Sequence, residues 1–414
     1  MIAFKKQLLK NNFEVYACPV NLNSDVISVD IFYKVGSRNE KMGKTGIAHM
    51  LEHLNFKSTK NLKAGEFDEI IKGFGGINNA STGFDYTHYY IKCSKSNLDK
   101  ALWLFAELMQ NLFLDDEEFQ SERKVVLEER LWRTDNNPIG YLYFRLFNNA
   151  FLYHSYHWTP IGFIDDIKNW TIGDIKKFHS TFYQPQNAFL IVSGDISYDE
   201  VFLNAKKHFE NIKNKIQIPI IHEKEPKQDG AKFIKLHKPS DTDLLAIAYK
   251  IPSFNHEDSI VLNILSELLG NGKSSLINKI LVDKLNLINE FYAFCNQSID
   301  ENLFIFICVC NVDIKAEKVK NEFIKIIKQL NNKGISKKDF QKIKNNIKSD
   351  FIFSLNTASS VSSIYGDYIA KGDLNVLLNF ENNIQKLELK DLSNCLKKYF
   401  IPSNSTTLIL RKEQ

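Results

Sequence analysis

His49-Met50-Leu51-Glu52-His53 sets two imidazoles and a carboxylate on one side of a single short helix. Residues three and four apart stand above one another on a helix, so His49, Glu52 and His53 share one stripe while Ile47, Met50, Leu51 and Leu54 share another. The apolar stripe packs and the polar stripe is left for chemistry. Two histidines at i and i+4 can grip one metal ion, and a carboxylate beside them can accept a proton from a water on that ion. The order H-x-x-E-H is the inverse of the commoner H-E-x-x-H. The same five residues also fit two hydrogen-bonded histidines at the edge of a core, and a third ligand is needed to separate the two readings.

Further along, Glu122-Arg-Lys-Val-Val-Leu-Glu128-Glu129-Arg-Leu-Trp132 reads as a helix with Glu122, Val126 and Glu129 on one stripe at i, i+4 and i+7. Glu128 lies about 100° round that helix from Glu129. Glu129 is therefore the candidate third ligand.

The run Gly46-Ile-Ala-His49-Met-Leu-Glu52-His53-Leu-Asn-Phe56-Lys-Ser-Thr59, with Glu129 76 residues after His53, resembles the pitrilysin/insulysin family of zinc peptidases. Length and spacing are similar to its mitochondrial-processing-peptidase-like bacterial branch, and the resemblance covers essentially the whole chain. It implies His49, His53 and Glu129 as zinc (Zn2+) ligands, Glu52 as general base and Glu122 as a supporting acidic residue. Gly36-Ser-Arg-Asn-Glu40 stands where the family has a similar G-S-R-x-E segment.

Composition is compatible with this. A chain of 414 residues is too long for one ordinary core, and 44% hydrophobic with 25% charged residues is ordinary globular usage. The net charge of +4 comes from 53 basic and 49 acidic residues with no long single-sign run interleaved with aromatics, so nucleic acid is not an expected partner. The six cysteines, at 18, 93, 295, 308, 310 and 395, form no C-x-x-C pair and read as small buried hydrophobes in a reducing compartment. No run reaches the roughly 18 apolar residues of a membrane span, and the amino-terminal residues lack the apolar core of a signal segment. A cytoplasmic protein without membrane contact is expected, a periplasmic one only if a signal segment was removed.

The chain repeats once. Ile167, Trp170, Asp174, Ile175, Phe182, Tyr183, Pro185 and Asn187 correspond to Ile384, Leu387, Asp391, Leu392, Tyr399, Phe400, Pro402 and Asn404 at a constant offset of 217. In each copy a capped helix runs into an aromatic-Pro-x-Asn turn and then a strand, Ala188 to Val192 or Thr406 to Leu410. We therefore expect an α+β fold of two homologous domains, each an antiparallel sheet packed with helices. The boundaries are 1–214 for the metal-binding domain, 215–230 for a polar linker and 231–414 for a domain without a metal site. The resemblance implies that such a pair forms half of a clamshell chamber, which two chains would complete.

A second constellation is Gly75-Gly-Ile-Asn-Asn79-Ala80-Ser-Thr82-Gly-Phe-Asp85-Tyr-Thr87-His-Tyr89-Tyr90. Paired glycines open a turn and the residues after them favour extended structure, as in any hairpin. It is similar to the family's edge-strand motif, which implies that a substrate peptide adds as a further strand beside Asn79 and Ala80. Gly270-Asn-Gly272-Lys273-Ser274-Ser275 imitates a phosphate loop, but Glu267 stands where its first glycine belongs and a helix-like run precedes it. In the family this turn leads to an Arg and, seven residues later, a Tyr that act on substrate; here those places hold Val282 and Asn289. Neither replaces the missing donors. The expected function is zinc-dependent endopeptidase action on peptides, as the metal-bearing subunit beside a paralogous partner that supplies Arg and Tyr, or as a homodimer. The alternative is a catalytically silent scaffold or assembly subunit.

Overall fold

A computed structural model describes residues 2–270 and 272–412. It contains two sheets with helices on both faces. The first sheet comprises β1 (Lys5–Leu8), β2 (Glu14–Pro19), β3 (Val26–Tyr33), β4 (Ile77–Thr82), β5 (Thr87–Ser94) and β6 (Ala188–Gly194), in the order β1-β2-β6-β3-β5-β4. The second comprises β7 (Lys232–Lys238), β8 (Leu244–Ile251), β9 (Ile288–Cys295), β10 (Asn302–Cys310) and β11 (Ser405–Lys412), in the order β7-β11-β8-β10-β9. Leaving out β1, the two sheets have the same topology. Each is antiparallel except for one parallel pair, β2 with β6 and β7 with β11. The offset of 217 carries helix Ile172–Phe182, turn Pro185–Asn187 and β6 onto helix Leu389–Tyr399, turn Pro402–Asn404 and β11.

The compact units cut across this duplication. One contains the chain up to Glu128, Trp158–His222 and Phe351–Leu378; the other contains Glu129–His157, Glu223–Asp350 and the chain from Asn379 onward. In the first unit, Val29, Ile31 and Tyr33 of β3 face the core that also buries Met50, Leu51, Phe105 and Val126. The opposite face, with Phe32, Phe189 and Ile191, is covered by helix Ala358–Lys371 from the carboxy-terminal half through Val361, Tyr365 and Ile369. A sheet buried on both faces reads as an unbroken apolar run, and all of β6 is buried. Gly366 permits the close fit, since a Cβ there would lie 2.2 Å from Cζ of Phe32.

The second unit mirrors this exchange. Helix Pro138–Ala150, from the amino-terminal half, packs on β8 and β11. The expected linker has no regular structure between Phe209 and Lys232, and it is tethered within each unit. The Gln184 side chain accepts from the Lys215 amide at 2.7 Å and donates to the Ile216 carbonyl at 2.9 Å. Farther along, Glu225 accepts from the amides of Leu152, Tyr153 and His154 at 2.9, 3.0 and 3.0 Å and from buried Lys250 at 2.5 Å. The six cysteines are unpaired, five of them buried. Helix Ser259–Gly270 precedes the glycine turn; Asn271 lies outside the described residues. No helix among the described residues is long and apolar enough to cross a membrane.

Candidate metal centre

The motif helix spans Ile47–Leu54 and buries Ile47, Ala48, Met50, Leu51 and Leu54. Each such large side chain contributes about 1.5–3 kcal/mol by leaving water. Burial of that stripe leaves His49, Glu52 and His53 half-buried on the other. Gly46 caps the helix at φ 83°, a left-handed conformation that glycine adopts readily, and a Cβ there would lie 2.7 Å from the Ile161 carbonyl oxygen.

A buried carboxylate holds the amino-terminal end of this helix. Glu40 accepts from the Gly46 and Ala48 amides, each at 2.8 Å, and from the Trp158 indole at 2.9 Å. Burial pushes this carboxyl up to about 8 against the pull of those donors. Both oxygens nevertheless face only donors, so a carboxyl proton has no acceptor there, and the carboxylate is the form this geometry accommodates. Glu40→Gln turns an NH2 toward one of those N–H groups and is expected to cost about 1–3 kcal/mol. A urea midpoint unchanged from wild type would rule out this anchoring role.

Helix Asp116–Arg130 carries Glu122, Val126 and Glu129 on its inner stripe, with Val126 fully buried. It is one continuous element, so Glu122 and Glu129 keep a fixed spacing along it. One donor atom from each of His49, His53 and Glu129 lies within 4.8 Å of the others. Glu122 Oε1 is 2.8 Å from His53 Nδ1, and Glu122 Oε2 is 2.5 Å from Lys57 Nζ. Burial raises the Glu122 carboxyl, but His53 and Lys57 outweigh it and hold the group below its ordinary range. Glu129 Oε1 receives Arg133 Nε at 3.0 Å, just where the helix widens into a π-turn over Leu131–Asp135. Such turns recur at functional sites.

Two imidazole nitrogens and one carboxylate are a donor set that zinc takes. With one donor atom of each within 4.8 Å of the others, the three side chains could hold such an ion between them. Glu52 accepts a short hydrogen bond from Thr82 Oγ1. Thr82 ends β4, an edge strand of its sheet, along which Asn78, Ala80 and Thr82 are half-buried and Ile77, Asn79 and Ser81 exposed. Thus Asn79 and Ala80 stand on the edge strand, on opposite faces. Val282 lies half-buried in a π-turn, Asn278–Lys284, and Asn289 is exposed on the edge strand β9.

The sequence reading gave no role to Lys57, Arg133 or Thr82. Arg133 is four residues after Glu129 and Thr82 two after Ala80, spacings that place side chains on a shared face, whereas Lys57 lies beyond the end of the motif helix. Those spacings were the available signal.

Comparison with known proteins defines the class. Residues 17–150 match the family described as Insulinase (Peptidase family M16), and residues 169–347 match the Peptidase M16 inactive domain. A Helicobacter pylori protein named Zinc protease PqqE is 50% identical over 406 residues, spanning 97% of this chain and 91% of that protein. The human mitochondrial-processing peptidase subunit beta is 26% identical over 352 residues, spanning 82% of this chain and 70% of that one. The crystal structure of a protease from Helicobacter pylori superposes with a TM-score of 0.97 at 50% identity, covering 99% of both chains. An M16 inactive domain from Pseudomonas fluorescens shares the fold, with a TM-score of 0.90 at 14% identity over 100% of this chain and 98% of its own. The chain belongs to peptidase family M16.

Proposed function

We propose that this protein is a zinc-dependent endopeptidase, with His49, His53 and Glu129 holding the metal and Glu52 acting as general base. The observation that carries this reading is the convergence of those three donor groups, with Glu52 on the same helix stripe as both histidines. Zinc, when bound, would polarise a carbonyl and bring the pKa of a water toward about 7. Glu122 fixes the ring of His53 through Nδ1, which leaves Nε2 as the ligating atom. Glu52 takes a proton from the attacking water and passes it to the leaving amine. The edge of β4, beside Asn79 and Ala80, receives the substrate backbone as an added strand, and backbone pairing of this kind tolerates varied side chains.

Val282 and Asn289 supply neither a guanidinium nor a phenol. We propose that a paralogous subunit brings the missing Arg and Tyr, a homodimer being the other arrangement. The unpaired thiols support a cytoplasmic setting. The test is cleavage of a quenched peptide library by the zinc-loaded chain, alone and with proteins that co-purify from the source cell. Strong activity as a monomer or homodimer would remove the need for a paralogue. Inactivity in every assembly, with zinc bound, would favour the scaffold role, for which the lack of an Arg and a Tyr at Val282 and Asn289 speaks.

A further inference from the structure

The end of β4 is pinned more firmly than a sheet edge requires. The Gly83 amide donates to the Tyr86 carbonyl at 2.9 Å and closes the hairpin, while the amides of Ser37 and Arg38 donate to the carbonyls of Gly83 at 3.2 Å and Phe84 at 2.8 Å. Gly36 lets that segment approach, since a Cβ there would lie 2.4 Å from the Gly83 oxygen. Thr87, paired with Thr82 across the hairpin, is fully buried and donates through Oγ1 to the Val35 carbonyl at 2.8 Å. The Thr82 hydroxyl is therefore presented from a fixed backbone, and its partner is Glu52 Oε2.

The buried side of Glu52 is equally ordered. Asn55 Nδ2 donates to the Leu51 carbonyl at 3.0 Å and to Tyr89 Oη at 2.6 Å, and Tyr89 Oη lies 3.0 Å from Tyr183 Oη. Burial raises both phenols, and the negative charge of Glu52 acts in the same direction on each. They remain neutral and cannot take a proton from the base.

We propose that Thr82 is a positioning residue for proton transfer: its hydroxyl ties Glu52 Oε2, and with it the orientation of the base, to the strand that receives substrate. Base alignment and peptide docking then share one rigid element. This inference rests on the peptidase reading above.

Thr82→Val keeps the β-branched shape and removes the donor, whereas Thr82→Ser keeps the donor. In zinc-loaded protein, in whichever assembly cleaves the peptide library, Thr82→Val is expected to lower kcat by about 10- to 100-fold, as for other groups that orient a catalytic side chain. KM should stay within about twofold and zinc content should not change. Thr82→Ser should recover most of the lost rate. Three results would overturn the role: undiminished kcat in Thr82→Val, a loss confined to KM, or a Ser variant as slow as the Val variant. Glu52→Gln run in parallel separates the two levels of inference. Turnover by wild type but not by Glu52→Gln, with Thr82→Val at full rate, removes Thr82 alone. Wild-type protein inert in every assembly removes the peptidase reading and the role of Thr82 with it.

Discussion

Glu52→Gln is expected to keep its zinc and lose turnover by about 10²- to 10⁴-fold, the range that general-base catalysis supplies. The substitution is nearly isosteric, and the amide oxygen can still accept from Thr82, so the motif helix and its packed stripe of Met50, Leu51 and Leu54 should be undisturbed. What disappears is the ability to hold a proton between water and leaving amine. The decisive measurement pairs metal content with single-turnover cleavage of a quenched peptide. A Gln variant that cleaves at the wild-type rate would take the base role from Glu52, while one that also loses zinc would place the residue in the metal's support.

His53→Ala should remove both metal and activity. The imidazole is one of three converging donors and the link to Glu122, so its loss also leaves that carboxylate with Lys57 alone. Since bound zinc contributes binding energy through a few ligands, deletion of one is expected to weaken affinity on the order of 10³-fold. Dialysis against a competing chelator followed by elemental analysis reads this without any assay of catalysis. Retention of zinc at wild-type strength would show that the cation sits elsewhere.

The motif helix was legible because its two stripes follow from helical spacing alone, and Glu129 because a seven-residue interval returns a side chain to the same face. The repeat was legible too: Pro185 and Pro402, with their Asn partners, mark matching turns in both copies. Strand direction was not, since whether β2 runs with or against β6 depends on residues 170 or more apart in sequence. Nor was the choice of sheet made by helices Pro138–Ala150 and Ala358–Lys371. An amphipathic face says that something apolar covers it, without saying which half of the chain provides that cover. Glu40 stood out only as the end of its G-S-R-x-E segment and its role was not legible, because that segment has no periodicity and its three donors come together only once Trp158 is in place.

That reciprocal trade of helices bears on how the gene could be divided. Splitting the polypeptide at its unstructured middle would strip each product of a covering layer, baring Phe32, Phe189 and Ile191 on one fragment and β8 and β11 on the other. Two separately made fragments should be insoluble apart and recover only when mixed. The two repeated halves are thus expected to behave as a single inseparable product, since each lends a covering helix to the other's sheet.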